Sequence, residues 1–339
     1  MSKIIQKVGV IGAGAWGTAL AITARRAGRD VIIQAHEADV ANTINKVHEN
    51  SFFLPGIPID KDIWATTNLD EIAACDAIFL AMPAQFLRAT TAEMVEFWQA
   101  GIPAVICAKG IEQKTGSLLS EIVAQTLPDV PLAILSGPTF AIEVAKGLPT
   151  AVTLASKNSG TLTALSKAIS TPTFRAYKSD DIIGVELCGA IKNVLAIGCG
   201  IIEGRKLGDN ARAAFITRGL AEIARLATAK GANPATMLGL SGLGDLSLTC
   251  NAMQSRNFSL GVALGEGLAL EKILAKRSSV AEGVFTASSS VLLAKTLNID
   301  TPLCAAMDGI LNNNVDIDKT IEELLARPVG NEDPLGLTS

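Results

Sequence analysis

The sequence has few side chains that can transfer protons at neutral pH. It contains two histidines, His36 and His48, and one tyrosine, Tyr177. Both histidines lie in the first fifty residues, which excludes a dehydrogenase that uses a histidine base in its second half. The Tyr-x-x-x-Lys arrangement is excluded as well, because Asp181 stands four residues after Tyr177. Acid–base chemistry in this chain therefore falls to lysines and carboxylates.

Motifs for metal binding and nucleic-acid binding are also missing. The six cysteines are scattered without a C-x-x-C pair, so we expect no metal site and a reducing, cytoplasmic compartment. A net charge of −4 without any basic run argues against a nucleic-acid partner. No stretch reaches the length of about 18 apolar residues that a membrane span needs, so we expect no membrane insertion. The uncharged stretch Val8–Ala24 imitates a secretion signal, but glycines interrupt it and Arg25 and Arg26 follow.

The composition is that of a packed globular protein, with 49% hydrophobic and 18% charged residues. A length of 339 residues favours two domains. The first half alternates short apolar runs with helical patterns, which predicts an α/β domain of parallel strands joined by helical crossovers. The strands are predicted at Lys7–Ile11, Asp30–Gln34, Ala77–Ala81, Ala104–Ala108, Ala133–Ser136 and Ala151–Leu154.

The second half has helical patterns and a weaker strand signal, so we predict domains at 1–181 and 182–339. A long apolar helix is expected from Ile182 to Ile202. Asp209 is expected to cap a helix that ends at Gly231. Further helices are predicted at Glu282–Leu297, Pro302–Asn312 and Asp318–Ala326.

A G-x-G-x-x-G motif lies between the first predicted strand and a predicted helix. Its residues Gly12, Gly14 and Gly17 would serve a tight turn, close approach of the backbone to a pyrophosphate, and close helix–strand packing. The phosphates would sit at the helix N-terminus, where N–H groups and the helix dipole favour anions. This context favours dinucleotide binding over the alternative, a merely structural turn.

The end of the second predicted strand bears on the choice between NAD and NADP. An acidic residue at this point would hold the ribose 2′-hydroxyl, but the strand ends in Gln34 and Ala35. His36 could face a 2′-phosphate, whereas Glu37 could still reach a ribose hydroxyl. Both cofactors stay open, with NADPH slightly favoured.

Two lysines stand where a positive charge is costly. Lys109 follows a predicted buried strand at the sheet edge where ligands bind; the alternative is a side chain that leaves the strand for solvent. Lys192 is one of two charged residues in Ile182–Ile202, a helix that must be buried nearly all round. Burial and a second cation would lower the pKa of Lys192 toward neutrality, unless its side chain reaches out to solvent.

Further polar groups lie on predicted turns. Asp245 is bracketed by glycines and is suited to orient a catalytic lysine. Ser255, Arg256 and Asn257 precede a helical stretch and form a candidate phosphate clamp, although such a tripeptide alone is more often a solvated loop. The segment Ser136–Phe140 offers backbone N–H groups and a hydroxyl after another strand.

Seven segments together carry a resemblance to a known family. They are Gly12–Ala19, Phe53–Gly56, Ala108–Glu112, Leu135–Ala141, Glu186–Asn193, Leu243–Leu246 and Ser255–Asn257. In their order and spacing they resemble the bacterial-type NAD(P)-dependent glycerol-3-phosphate dehydrogenases. The resemblance implies an N-terminal Rossmann-type parallel-sheet domain, an all-α C-terminal domain like that of 6-phosphogluconate dehydrogenase, and a cytoplasmic homodimer.

The resemblance also implies an activity, the interconversion of dihydroxyacetone phosphate and sn-glycerol 3-phosphate for glycerophospholipid synthesis. Its catalytic positions match Lys192, the proton acceptor, with Lys109 and Asp245. Its substrate positions match Lys109, Gly137, Thr139, Lys192, Asn193, Asp245, Ser255, Arg256 and Asn257. Its cofactor positions match Gly12, Gly14, Ala15, Trp16, Gly17, His36, Lys109, Ala141, Arg256, Val280 and Glu282. Phe53 replaces the tyrosine of many members and His36 the arginine of some, so the cofactor preference stays open.

The expected mechanism is hydride transfer to C2 of dihydroxyacetone phosphate while Lys192, oriented by Asp245, donates a proton to the forming alkoxide. Lys109 would stabilise the oxyanion, and Arg256 and Asn257 would hold the phosphate. Two alternatives stay open. One is a related dehydrogenase with a different substrate, such as a 3-hydroxy acid or ketopantoate, and the other is a non-catalytic dinucleotide sensor.

Overall fold

A computed structural model describes residues 4–276, 281–329 and 332 of the chain. The chain divides into two compact units. The first unit comprises Met1–Ala108 with Leu119–Ile182, and the second unit comprises Lys109–Leu118 with Ile183–Ser339. The short segment Lys109–Leu118 belongs to the second unit because Ile111 and Leu118 are buried in the core of that unit.

The first unit is built on a doubly wound sheet. Its strands are β1 (Lys7–Ile11), β2 (Asp30–Gln34), β3 (Glu49–Asn50), β4 (Leu54–Pro58), β5 (Ile63–Thr66), β6 (Ala77–Leu80), β7 (Ala104–Ile106), β8 (Leu132–Ser136), β9 (Thr150–Ala155) and β10 (Phe174–Ser179). Eight of them form one sheet in the order β10-β9-β8-β7-β6-β1-β2-β5, and β3 pairs with β4. Neighbours in the large sheet run parallel except β8 and β9. The order confirms the predicted Rossmann-type architecture.

Helices connect most of these strands. They are α1 (Ala15–Arg26), α2 (Ala38–Val47), α3 (Leu69–Ala73), α4 (Leu87–Met94), α5 (Leu119–Thr126), α6 (Ala141–Lys146) and α7 (Ser159–Ile169). Strand β6 is buried at every position, as expected of a central parallel strand whose two faces are both covered. Helix α1 buries every residue from Gly17 to Ala24. This packing fixes the position of the helix and therefore the position of its N-terminus.

The second unit is helical, as predicted. Its helices are α8 (Ile182–Gly204), α9 (Asp209–Ala229), α10 (Asp245–Thr249), α11 (Arg256–Gly265), α12 (Leu270–Ala275), α13 (Glu282–Leu297), α14 (Pro302–Asn312) and α15 (Ile317–Leu325). The prediction that Asp209 caps α9 was wrong. Gly208 is the N-cap residue with a φ of 91°, a value that favours glycine, and Asp209 is the first helical residue.

Helix α8 forms the centre of the second unit. The expectation that no stretch is long and apolar enough for a membrane span was wrong, because α8 passes as a candidate span by length and composition. However, 89% of its most apolar window is buried inside the protein, as in the core helix of a globular domain. Close packing against α11 depends on glycine. A Cβ on Gly200 would lie 2.1 Å from the carbonyl oxygen of Phe258, and a Cβ on Gly261 would lie 2.0 Å from that of Ile197.

Candidate active site

Three predicted site residues meet inside the second unit. Asp245 is the first residue of α10 and is fully buried. A π-helical turn, Leu240–Gly244, leads directly into it, and such turns are frequent at functional sites. This turn requires glycine, because a Cβ on Gly242 would lie 2.2 Å from the carbonyl oxygen of Met237. The local backbone thus places the Asp245 carboxylate in the interior.

Asp245 divides its two carboxylate oxygens between two lysines. Lys192 Nζ lies 2.5 Å from Oδ1, and Lys109 Nζ lies 2.7 Å from Oδ2. The Lys192 side chain is 7% exposed and the Lys109 side chain 15% exposed. Two ammonium groups share one carboxylate, so the cluster carries a net positive charge when both lysines are protonated. Such a cluster favours a substrate that is anionic or becomes anionic as it reacts.

Thr249 is a member of the cluster that the sequence reasoning missed. Lys192 Nζ donates to Thr249 Oγ1 at 2.8 Å, and the threonine hydroxyl donates to the Asp245 carbonyl oxygen at 2.6 Å. The available signal was the spacing: Thr249 follows Asp245 by four residues, which places both on one face of a helix. The lysine is therefore oriented by a carboxylate and a hydroxyl together.

The pKa of Lys192 is lowered to about 8, because burial disfavours the charged ammonium. The Asp245 carboxylate acts in the opposite direction and raises this pKa, whereas the charge of Lys109 lowers it further. A lysine with a pKa near 8 exists in both protonation states close to neutral pH. It can therefore donate or accept a proton during turnover.

A relay of side-chain amides connects this cluster to two further helices. The backbone N–H of Gly283 donates to Asn257 Oδ1 at 3.2 Å, and Asn257 Nδ2 donates to Asn193 Oδ1 at 3.0 Å. Asn193 Nδ2 then donates to the Lys109 carbonyl oxygen at 3.4 Å. The relay starts at a backbone donor and ends at a backbone acceptor, which fixes the orientation of both amides. It joins the start of α11 and α13 to the Lys109 backbone.

The candidate phosphate clamp lies at the N-terminus of α11. The Ser255 hydroxyl oxygen accepts the Phe258 N–H at 3.2 Å and caps the helix. Arg256 is the first helical residue and is exposed. Although the residue as a whole is exposed, burial of part of its side chain lowers the pKa of the guanidinium, and the carboxylate of Glu282, the first residue of α13, raises it. These residues place a cation and a helix N-terminus at one point, as anion binding requires.

The glycine loop of the first unit has the geometry of a dinucleotide-binding turn. Gly12 has a φ of +104°, and its Cβ would lie 2.7 Å from the Met82 backbone nitrogen. A Cβ on Gly17 would lie 1.9 Å from the Gly12 carbonyl oxygen, whereas a Cβ on Gly14 would meet no heavy atom within 4 Å. No side chain of the described residues caps α1. The loop is therefore closely packed at Gly12 and Gly17 and open at Gly14. The open position leaves room for a pyrophosphate to approach the backbone.

The predicted cofactor residues around this loop differ in their exposure to solvent. Ala15 and Trp16 open α1, and the Trp16 indole nitrogen is buried without a hydrogen-bond partner among the described residues. Gln34 at the end of β2 is buried and donates to the Ala35 carbonyl oxygen at 3.2 Å. His36 is exposed, as is its neighbour Glu37. The positions of these two side chains leave both NADP and NAD open.

The other predicted ligand positions lie in the first unit or outside the described residues. Gly137 follows β8 with a φ of +148°, and the Thr139 hydroxyl donates to the Gly137 carbonyl oxygen at 3.2 Å. Ala141 is the first residue of α6. Val280 lies outside the described residues. Within the described residues, no group of three or more His, Cys, Asp or Glu side chains could hold a metal ion.

Two family models match the chain. The model described as the N-terminus of NAD-dependent glycerol-3-phosphate dehydrogenase matches residues 7–162, and the model described as its C-terminus matches residues 181–322. Together they cover both the glycine loop and the lysine cluster.

Relatives and a solved structure agree with these matches. A Rhodospirillum rubrum protein named glycerol-3-phosphate dehydrogenase (NAD(P)+) is 54% identical to this chain, over 97% of this chain and 95% of the relative. A Caulobacter vibrioides protein of the same name is 52% identical, over 96% of this chain and 98% of the relative. The crystal structure of glycerol-3-phosphate dehydrogenase from Coxiella burnetii is 39% identical with a TM-score of 0.92, covering 95% of this chain and 99% of that one. The chain belongs to the NAD-dependent glycerol-3-phosphate dehydrogenase family.

Proposed function

We propose that this chain catalyses the reversible reduction of dihydroxyacetone phosphate to sn-glycerol 3-phosphate with NADPH or NADH. The observation that carries this proposal is the Asp245 carboxylate shared by two lysines, of which Lys192 has a pKa of about 8. Reduction of a carbonyl needs a proton donor and a positive charge beside the forming alkoxide. The names of the relatives support the same reaction.

Lys192 is the proposed proton donor. Its ammonium gives a proton to the oxygen on C2 as the carbonyl becomes an alkoxide, and water restores the proton to the neutral amine afterwards. Asp245 holds Lys192 through Oδ1 and Lys109 through Oδ2, so both lysine side chains stay in place during this exchange. When bound, the nicotinamide cofactor supplies the hydride for the reduction and accepts it in the reverse direction.

The substrate phosphate is the proposed ligand of Ser255, Arg256 and Asn257. The α11 N-terminus favours an anion, and the guanidinium adds a fork of N–H donors. The Ser255 oxygen accepts the Phe258 N–H, which leaves the hydroxyl proton to donate. The energy of binding the phosphate, a group away from the reacting carbon, positions the carbonyl for reaction. Asn193, Gly137 and Thr139 are the further proposed substrate positions.

The proposed cofactor site is centred on Gly12, Gly14 and Gly17, which would hold the pyrophosphate. NADPH is slightly favoured, because no acidic side chain ends β2. The further proposed positions are Ala15, Trp16, His36, Lys109, Ala141, Arg256, Val280 and Glu282.

A cytoplasmic homodimer that supplies glycerophospholipid synthesis is also proposed, with functional domains at 1–181 and 182–339. The six cysteines, all among the described residues, form no disulfide, as suits a reducing compartment. Sedimentation equilibrium should give twice the chain mass of 35.2 kDa, and a monomer mass would contradict the dimer.

Initial rates of NADPH and NADH oxidation test the reaction, with dihydroxyacetone phosphate as substrate and unphosphorylated dihydroxyacetone as control. We expect turnover that depends on the phosphate. Equal rates with both ketones would point to a related dehydrogenase with a different substrate. Cofactor binding without turnover of either ketone would point to a dinucleotide sensor.

The proton donor is tested by Lys192→Met, which should lower kcat by at least about a hundredfold, the usual contribution of an acid–base group. Cofactor affinity should stay within twofold. The matched control is Lys319→Met, because Lys319 is an exposed lysine of the same unit, 3.8 Å from Glu323. Near-normal kcat in the Lys192 variant would remove this residue from the mechanism.

A further inference from the structure

Asn50, in the first unit, is fully buried and makes three hydrogen bonds with its side chain. Its Nδ2 donates to the Ala13 carbonyl oxygen and to the Thr18 hydroxyl oxygen, each at 2.8 Å. Its Oδ1 accepts the Phe53 backbone N–H at 3.1 Å. A primary amide has two N–H donors and one carbonyl acceptor, so both donors and the acceptor are used.

The three partners fix which amide atom faces which neighbour. The Phe53 backbone nitrogen can only donate, and the Ala13 carbonyl can only accept, so a flipped amide would face mismatched groups at both positions. An aspartate at position 50 would place a carboxylate oxygen against the Ala13 oxygen. Burial makes such a mismatch costly, because no solvent replaces the lost hydrogen bond.

The Ala13 carbonyl lies in the middle of the glycine loop, between Gly12 and Gly14. This carbonyl and the Gly14 N–H belong to one planar trans peptide, so they point in opposite directions. By binding the carbonyl, Asn50 fixes the plane of this peptide and directs the Gly14 N–H to the other side. The loop is open at Gly14, where a Cβ would meet no heavy atom within 4 Å.

Thr18 connects the same amide to the first turn of α1. Its backbone N–H donates to the Gly14 carbonyl oxygen at 3.0 Å, and its hydroxyl oxygen accepts from Asn50. One buried side chain, 37 residues away from Ala13 along the sequence, therefore holds both the glycine loop and the helix that follows it. The N–H groups at this helix start are the ones that bind phosphates in dinucleotide-binding folds.

We propose that Asn50 is a positioning residue for the dinucleotide, which fixes the Ala13–Gly14 peptide so that the loop presents its N–H groups to the pyrophosphate. This inference rests on the proposed use of NADPH or NADH. Both cofactors carry the same pyrophosphate, so loss of the Asn50 amide must weaken both by the same factor. A change at His36, near the proposed 2′-phosphate position, would instead alter the ratio of the two affinities.

The test compares Asn50→Asp with Asn45→Asp in the full chain. Asn45 is a matched control in the same unit, because its amide also spans a backbone donor and acceptor, the N–H and C=O of Ala65, each at 2.8 Å. Isothermal titration calorimetry gives the Kd for NADPH and for NADH, and thermal unfolding without cofactor gives Tm. Both variants should lower Tm, because each turns an N–H donor into an oxygen that faces a carbonyl.

Only Asn50→Asp should raise Kd, by about tenfold for each cofactor. This factor corresponds to the loss of one hydrogen bond between a loop N–H group and the charged pyrophosphate. The ratio of the two Kd values should stay within twofold of wild type. A lower Tm with unchanged Kd would overturn the proposal and leave Asn50 with a structural role only. A change in one Kd alone would overturn it too.

Thr18→Val is the second variant, for the case that Asn50→Asp does not fold. It keeps the shape of the side chain and removes one of the two acceptors of the Asn50 amide. We expect both Kd values to rise about threefold, as for loss of a single neutral hydrogen bond, and unchanged values would overturn the proposal. Wild-type protein that binds neither cofactor would count against the proposed function itself. If the wild type binds both cofactors and the variants have unchanged Kd values, the result counts against the role of Asn50 alone.

Discussion

The Lys192 ammonium lies 2.5 Å from one oxygen of the Asp245 carboxylate, and both residues are buried. The carboxylate itself is fully buried and also binds Lys109 at 2.7 Å. Removing Asp245 would leave two ammonium groups in the interior without a counter-charge. The protonation of Lys192 therefore depends directly on the charges of Asp245 and Lys109.

We predict opposite pH profiles for the two directions of the reaction. Reduction needs the Lys192 ammonium, so its kcat/KM should be constant at neutral pH and fall about tenfold per unit above the Lys192 pKa of about 8. Oxidation needs the neutral amine, so its kcat/KM should rise up to the same pH. Initial rates between pH 6 and pH 10 in both directions check this. If kcat/KM for reduction stayed constant up to pH 10, as expected for the ordinary lysine value of 10.5, the assignment would be contradicted.

Asp245→Asn should shift the same inflection to lower pH. The Asp245 carboxylate raises the pKa of Lys192, so its removal leaves burial and the charge of Lys109 to lower that pKa further. At pH 7 less of Lys192 is then protonated, and kcat for reduction should fall by at least about tenfold. The control is Asp318→Asn, because this exposed carboxylate pairs with Arg205 at 3.0 Å in the same unit. An unmoved inflection would show that Asp245 does not control Lys192.

Much of the sheet could be predicted because apolar runs bounded by turn residues determine its central strands. Strands β1 and β2 have the predicted bounds. The edge strands β5 and β10 were missed. Each presents a large aromatic side chain to solvent, Trp64 in β5 and Tyr177 in β10, and β10 also exposes Arg175. Strand β5 has only four residues, and β10 is exposed or half-buried at five of its six positions, so neither forms a long apolar run that distinguishes a strand from a loop.

The burial of Lys192 could be predicted from helical periodicity, because the rest of its helix is almost uncharged. Its hydrogen bond to Thr249 spans 57 residues of sequence and depends on how two helices pack. The two bonds that Asn50 donates to Ala13 and Thr18 likewise depend on tertiary contacts, because they span 37 and 32 residues of sequence. Local pattern thus identified the costly charge and, in the glycine-bracketed Asp245, a carboxylate suited to orient it, but it did not identify Thr249.

Glu222 should make the stability of the protein depend on pH. This buried carboxylate on α9 accepts the backbone N–H groups of Leu303 at 2.7 Å and Cys304 at 3.2 Å, at the start of α14. Burial raises its pKa from 4.5 to about 7, although the two N–H groups lower it. The folded state therefore binds a proton more tightly than the unfolded state. The free energy of unfolding should fall as pH rises from about 4.5 to about 7.

Glu222→Gln checks this dependence, because the amide does not titrate. We expect the variant to be less stable at every pH, since its NH₂ group opposes one of the two backbone donors. The wild type should lose roughly 3 kcal/mol relative to the variant between pH 4.5 and pH 7, at about 1.4 kcal/mol per pKa unit. Urea unfolding at both pH values measures the difference. Parallel pH dependences in the two proteins would show that Glu222 does not titrate in this range.

Gly200→Ala should separate α8 from α11 and weaken substrate binding. The added Cβ would lie 2.1 Å from the Phe258 carbonyl oxygen and 2.7 Å from the Val262 nitrogen, which are backbone atoms that cannot rotate away. Overpacking of this kind costs about 1–3 kcal/mol, measurable by urea unfolding.

The same separation should lengthen the bond from Asn257 on α11 to Asn193 on α8, which is 3.0 Å in the wild type. We therefore expect KM for dihydroxyacetone phosphate to rise more than kcat falls, because both amides are proposed substrate ligands and neither transfers a proton. Gly160→Ala is the control: its Cβ would meet only the Asn158 side-chain oxygen, at 3.2 Å. If Gly200→Ala lowers stability but leaves KM unchanged, the close approach of the two helices serves the core alone and does not position the amides.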